Sequence, residues 1–286
     1  MVGNVPQGRY VQSDQSSVFG QRNRTGTQPL RQLHDERVRG RIQGQDVQGA
    51  VQLDCLRQQV RLEHDMALYI DCALLNDITQ VARTIPLAGV TTNPSILLAA
   101  RERGQNLSPR QVLDELLRVQ NGTVFIQPGA TDEAGMYAEA LAYLQAGPER
   151  VIPKIPMIEA GLRVARRLKE RGQPLAFTAI ATLAQTYIAA MLQAEYVIPY
   201  YNRMARAGIE AAERIAEMAD ILSNSKAPTR ILVASLKSTQ EAEQALLAGA
   251  DDLTLAPQVL LDMVTDPLSQ QAVEKFSDDW QKMNKL

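Results

Sequence analysis

Lys154 stands alone in an apolar run, Val151-Ile152-Pro153-Lys154-Ile155-Pro156-Met157, and no lysine precedes it in the 286-residue chain. A charge in such a strand-like run is costly to bury. It persists where a site uses it, or where the side chain snorkels its head to water at a strand end. Desolvation favours the neutral amine, and a neutral lysine is the nucleophile that forms Schiff bases with carbonyl compounds. Other nucleophile systems are excluded by what the chain lacks. Its two histidines, His34 and His64, both precede Met66, and its two cysteines are Cys55 and Cys72. From Met66 onward, Ser-His or Cys-His catalysis and His-ligated metals therefore have no residues to use. Acid–base work falls to Asp, Glu, Tyr, Lys or a positioned water. Neither a zinc cluster nor a disulfide framework fits two scattered cysteines. No glycine-rich dinucleotide or nucleotide-triphosphate loop occurs.

Short apolar runs position that lysine and a set of polar residues. The runs are 68–71, 87–91, 123–127, 151–154, 175–178, 195–199, 231–235 and 252–255. Amphipathic stretches at 109–119, 133–144, 158–170, 183–193, 209–223 and 240–247 alternate with them. Apolar throughout, the runs read as parallel strands covered on both faces. Eight strand–helix units in about 220 residues predict an α/β fold, a (β/α)8 TIM barrel, better than an open doubly wound sheet. A further helix at 269–283 has no strand to follow, so Val273, Phe276 and Trp280 need the barrel wall or a neighbouring subunit to cover them.

Active sites of such barrels form where strands end. The run ends supply Asp71, Thr91 with Asn93, Gln127, Lys154, Thr178, Tyr200 with Arg203, and Ser235 with Lys237. Polar residues at seven successive strand ends converge on one mouth. Arg203, Ser235 and Lys237 offer a forked donor, a hydroxyl and a point charge, the set that binds a phosphate. Most of these residues have a second reading. Asp71 and Thr178 could cap the following helices, and Thr91 and Asn93 could be turn residues before Pro94. Gln127 could be a loop residue, Tyr201 rather than Tyr200 could be the tyrosine that packs, and Lys237 could open a solvated helix.

Residues 1–65 form a separate region, with twelve glutamines, nine arginines and no lysine. Such a composition buries too little surface to offset its ordering entropy. Val47, Val51, Leu53, Leu56, Val60 and Leu62 hint at one weak amphipathic helix. The segment reads as a disordered tail or as a start assigned too far upstream. The second reading is favoured because Met66 opens directly into the first strand, which leaves 66–286 as the barrel unit. A formal net charge of −2 gives no reason to expect nucleic acid or an anionic membrane as partner. No run approaches 18 apolar residues, so no membrane span is expected. Few cysteines and no basic-then-apolar leader predict a reducing cytoplasm.

Several motifs resemble the transaldolase superfamily, and within it the small fructose-6-phosphate aldolase branch. They are Leu87-Ala88-Gly89-Val90-Thr91-Thr92-Asn93-Pro94-Ser95, Val151-Ile152-Pro153-Lys154-Ile155-Pro156, Pro199-Tyr200-Tyr201-Asn202-Arg203 and Ala234-Ser235-Leu236-Lys237. The resemblance runs from Met66 to about Trp280, includes Lys275-Phe276-Ser277-Asp278-Asp279-Trp280, and leaves the first 65 residues without a counterpart. It implies a class I aldolase that needs no metal or other cofactor and cleaves a sugar phosphate. Lys154 would be the Schiff-base lysine. Asp71, Thr91 and Asn93 would hold the hydroxyls of a dihydroxyacetone unit. Gln127, Thr178 and Tyr200 would hold a proton-shuttling water, with Tyr200 the acid–base group. Arg203 and Ser235, with Lys237, would bind the acceptor phosphate. Similar true transaldolases carry glutamate in place of Gln127 and phenylalanine in place of Tyr200. A phenol exchanges protons and a phenyl cannot, so the aldolase branch is implied over transaldolase. A non-catalytic sugar-phosphate-binding barrel, with Lys154 merely pairing with phosphate, is the contrasting reading. The resemblance and the terminal helix together imply a ring-based homo-oligomer, a decamer. Ile198, Cys72 and Phe177 depart from the family's pattern, which leaves donor and acceptor preference open.

Overall fold

The apolar runs become parallel strands because each is covered on one side by helices and on the other by the barrel interior. The computed structural model describes residues 66–285. The weak helix at 47–62 and the reading of the chain start lie outside the described residues. The strands are β1 (Ala67–Asp71), β2 (Gly89–Thr91), β3 (Thr123–Ile126) and β4 (Val151–Pro156). They continue with β5 (Ala176–Ile180), β6 (Tyr196–Pro199), β7 (Arg230–Leu236) and β8 (Asp252–Leu255). They close in sequence order, with β8 pairing back onto β1, as a (β/α)8 TIM barrel.

The outer layer contains α1 (Leu75–Val81), α2 (Pro94–Glu102), α3 (Pro109–Val119) and α4 (Glu133–Ala146). Next come α5 (Glu159–Lys169), α6 (Leu183–Met191), α7 (Tyr201–Arg206) and α8 (Ala211–Ser225). After them follow α9 (Thr239–Leu247), α10 (Pro257–Asp262) and α11 (Pro267–Met283). The apolar periodicity does not predict α1, α2, α7 or α10. At six to nine residues these four are too short to show a clear period of 3.6. Where helices start, local chemistry is plain. Ser108 with Gln111 and Thr182 with Gln185 form reciprocal capping boxes that satisfy the first amides of α3 and α6.

Side-chain period two divides the barrel's residues between two cores. Ile70, Val90, Val124, Ile155, Phe177, Val197, Val233 and Leu253 face the helices. Tyr69, Phe125, Ala176, Tyr196, Ile198, Tyr200, Leu232 and Ala234 fill the interior. Within it, Phe125 meets Tyr69 and Tyr196 edge-on, with centroids 5.3 and 5.1 Å apart. Below this aromatic layer, Asp252 takes a forked pair from Arg230 at 2.9 and 3.0 Å and the Ala67 amide at 2.8 Å. A buried ion pair thus occupies the floor of the barrel, and the candidate site residues lie at the opposite end.

Two glycines allow close approaches that matter to the site. A Cβ on Gly89 would lie 1.9 Å from the Thr123 carbonyl oxygen, so β2 and β3 could not keep their spacing. A Cβ on Gly161 would lie 2.0 Å from the Pro156 oxygen, so α5 seats directly on the end of the lysine-bearing strand. The last helix differs from the others. No residue of α11 is buried, and Leu268, Val273, Phe276 and Trp280 are 64–73% exposed. Of its two possible coverings, the barrel wall is ruled out. Among the described residues, no helix is long and apolar enough to cross a membrane.

Candidate active site

Lys154 is the fourth residue of β4, opposite Ala176 of β5, and only 1% of it is exposed. It is thus an interior residue and not a strand-end lysine with its head in water. The strand runs two residues further than the apolar run predicts, because Ile155 and Pro156 still pair with Phe177 and Thr178 of β5. Parity with Ile152, which packs against the interior cluster, turns the side chain inward. Among the described residues, Lys154 belongs to none of the ion pairs.

Asp71 and Thr91 are register partners at the tops of β1 and β2, and the Thr91 hydroxyl donates to Asp71 Oδ1 at 2.6 Å. Burial pushes the Asp71 carboxyl above the usual carboxylate range, opposed in turn by Lys154, the Thr91 hydrogen bond and Lys237. Both ammonium groups therefore act on one carboxyl. The cap reading of Asp71 fails, since α1 has Leu74 at its N-cap and no side-chain cap. Asn93 does cap. Its Oδ1 accepts from the amides of Ser95 and Ile96 at 2.9 and 3.1 Å, which leaves Nδ2 as the donor it can offer elsewhere.

On the far side of the barrel, the hydroxyls of Thr178 and Tyr200 share a buried hydrogen bond of 2.7 Å. Thr178 does not cap α6, a task taken by Thr182. The adjacent tyrosines divide their roles. Tyr200 points into the interior cluster, whereas Tyr201 packs outward and donates to Gln244 at 2.7 Å. The Arg203 guanidinium lies 4.6 Å from the Tyr200 ring centroid, an attractive cation–π contact at the rim. Ser235 sits in a bulge of β7 at φ 62°, and Ala179 in a bulge of β5 at φ 60°. Left-handed backbone at a non-glycine residue costs about 1 kcal/mol. Both instances stand beside candidate site residues, where bulges re-aim side chains. Lys237 is exposed just before α9, which Ser238 caps, so it does not open the helix itself.

Gln127 follows the last residue of β3, two positions above the inward Phe125. Among the described residues its side chain forms no hydrogen bond, so the Thr178–Tyr200 pair stands without it. Phe177 proves irrelevant to the mouth. Lying between inward Ala176 and Thr178, it packs into the barrel–helix core, so its departure from the family's pattern falls outside the mouth. Cys72 is a buried turn residue whose sulfur accepts the Leu74 amide at 3.3 Å, and burial pushes its thiol up to about 11. Ile198 does face inward, fully buried opposite Thr178.

One residue of the mouth, Thr254, belongs to none of the strand-end motifs. Its hydroxyl lies 2.6 Å from that of Thr91 and is fully buried. The available signal is a polar residue at an inward position of β8, between Leu253 and Leu255. Together the mouth presents a buried amine, a carboxyl with its hydroxyl partner, a phenol–hydroxyl pair and two rim cations. Such a set can bind a polar carbonyl compound covalently and move protons beside it.

Comparison with solved structures gives two mandelate oxidase variants, one with 2-hydroxy-phenylacetamide and one with a monooxide FMN adduct. They are 14% and 15% identical over 68% of this chain, each with a TM-score of 0.48. A flavocytochrome b2 double mutant with pyruvate bound is 13% identical over 69% of the chain, with a TM-score of 0.49. The chain spans 65% of the first two and 57% of the third. Within the chain itself, residues 68–286 match transaldolase/fructose-6-phosphate aldolase, the span that holds every strand-top residue described above. The protein belongs to the transaldolase/fructose-6-phosphate aldolase family.

Proposed function

We propose that residues 66–286 form a class I aldolase. It would reversibly cleave fructose 6-phosphate, or a related sugar phosphate, to dihydroxyacetone and glyceraldehyde 3-phosphate. The observation that carries this reading is Lys154, an amine 1% exposed inside a barrel whose family acts on sugar phosphates. Lys154 Nζ attacks the ketone carbon, and loss of water from the carbinolamine gives an iminium. The carbon–carbon bond then breaks as the neighbouring hydroxyl gives up its proton. The aldehyde leaves and the bonding pair passes into an enamine. Reprotonation of the enamine carbon and hydrolysis release the three-carbon ketone and restore the amine. The iminium draws the electrons that a metal would otherwise polarise, so the reaction needs no ion.

Tyr200 supplies the proton exchange in this reading, held by Thr178 and working through a water with Gln127. Asp71, Thr91 and Asn93 take the donor hydroxyls, and Arg203, Ser235 and Lys237 take the phosphate. With fructose 6-phosphate as sole substrate, free dihydroxyacetone should accumulate, measured by a coupled reductase assay. Tyr200→Phe should slow this release about 100-fold or more, the usual reach of a positioned acid–base group. Transfer to erythrose 4-phosphate should slow less. If Tyr200→Phe leaves cleavage intact, Tyr200 is not the acid–base group; if product appears only when erythrose 4-phosphate is added, the protein is a transaldolase.

Ile198 narrows the interior beside Thr178 where the donor would lie. Ile198→Ala should raise kcat/KM for dihydroxyacetone as donor roughly tenfold, in line with the worth of a methylene or two in a pocket. The same change should lower stability by about 2–4 kcal/mol through the cavity it leaves. An unchanged donor preference would remove Ile198 from the pocket wall. The apolar stripe on α11 fits burial against another copy of the chain, as a ring-shaped homo-oligomer requires. A reducing cytoplasm completes the reading.

A further inference from the structure

Thr254 lies in β8 as the register partner of Tyr69, two positions below Asp71 on the neighbouring strand, and is buried beneath the mouth. Its contact with Thr91 is its one hydrogen bond among the described residues. Thr91 in turn has a single hydroxyl hydrogen and two partners at 2.6 Å, Asp71 Oδ1 and Thr254 Oγ1. When Asp71 is ionised it can only accept, so Thr91 spends its hydrogen on Asp71 and accepts from Thr254. The chain of donors then runs one way, from Thr254 through Thr91 to Asp71. Protonating Asp71 at Oδ1 would reverse it, and protonating it at Oδ2 would leave Thr91 donating to a weaker, neutral acceptor. On reversal at Oδ1, Thr254 would have to accept, and its own hydrogen would lose its one recorded partner among the described residues. A buried donor without a partner is disfavoured.

We propose that Thr254 is a positioning residue for this site: its hydroxyl fixes the direction of the Thr91 hydroxyl and so holds Asp71 as an acceptor-only carboxylate facing the ligand. The inference rests on the aldolase reading for its purpose, though not for its test. Thr254 touches no substrate atom in this role. It acts through Thr91, and it opposes the burial that favours the protonated carboxyl. The charged groups that face Asp71 are Lys154 from β4 and Lys237 from the loop after β7. Neither contributes a hydrogen bond in place of the relay.

The experiment is a pH titration of the Asp71 carboxyl carbon by NMR, on the full chain labelled with carbon-13 aspartate and with Asp71→Asn to assign the signal. Thr254→Val keeps the shape and removes the donor, and Thr254→Ser restores it. The midpoint should rise by about half to one pH unit in Thr254→Val and return in Thr254→Ser. Thr254→Ala gives the same comparison if the valine variant does not fold. In kinetics, the acid limb of the kcat/KM profile should move upward by the same amount. A Thr254→Val midpoint equal to that of the unaltered chain overturns the proposal. Absence of turnover in the unaltered chain would overturn only the aldolase reading, because the titration needs no substrate.

Discussion

Lys154→Met is expected to lower turnover on the order of 10⁴-fold or more, because it removes the covalent partner while keeping most of the side-chain volume. That loss corresponds to about 5–6 kcal/mol of transition-state stabilisation. No second amine replaces it, since Lys237, the other ammonium that acts on Asp71, stands exposed at the rim. The same variant should fold. A polar amine 1% exposed brings a desolvation cost to the native state, and methionine removes that cost. Borohydride reduction with dihydroxyacetone tests the chemistry directly, read by peptide mass spectrometry. An adduct should map to Lys154 in the unaltered chain and vanish in Lys154→Met. An unaltered chain that yields no adduct but binds fructose 6-phosphate in calorimetry would be a binding barrel, and Lys154 would serve only to neutralise phosphate.

Much of this site was legible in the chain because inward positions of a barrel strand are apolar by default. Each exception is therefore conspicuous. Lys154, Asp71, Thr91 and Thr178 are such exceptions, and all are brought to one mouth. Register and parity explain what was misread. Phe177 sits one residue from Thr178 along the chain, yet one step along a strand turns a side chain from the interior to the helices. Thr254 was passed over for the opposite reason. It is followed by Leu255, so the run around it looks uniformly apolar, and only pairing with Tyr69 of β1 shows that it faces inward. The short helices escaped because their start signals are local. Asn93 looks like a turn residue until its side chain is seen to accept two amides of α2. Partner choice among hydroxyls lies beyond any sequence pattern, since it depends on distances between strands far apart in the chain.

The second large effect belongs to the opposite end of the barrel and concerns stability. Asp252 is 1% exposed and accepts three hydrogen bonds, two from the Arg230 fork and one from the Ala67 amide. Asp252→Ala strands the Arg230 guanidinium, whose side chain is 25% exposed and so keeps part of its hydration. The expected cost therefore sits at the lower end for a broken buried pair, about 3 kcal/mol. For a barrel of this size that is a fall in Tm of roughly 6–12 °C, measured by calorimetry. Asp252→Asn, which keeps an oxygen for Ala67, should lose less. Removing both charges, as Arg230→Met with Asp252→Leu, should recover part of the loss, because no unpaired charge then remains. At temperatures where the variants stay folded, kcat and KM should match the unaltered chain. The aromatic layer of Tyr69, Phe125 and Tyr196 separates this floor from Lys154, and barrels of this kind divide stability and chemistry between their two ends. A variant that loses activity while keeping its Tm would show that the floor pair reaches the mouth, and that the aromatic layer transmits what it is expected to insulate.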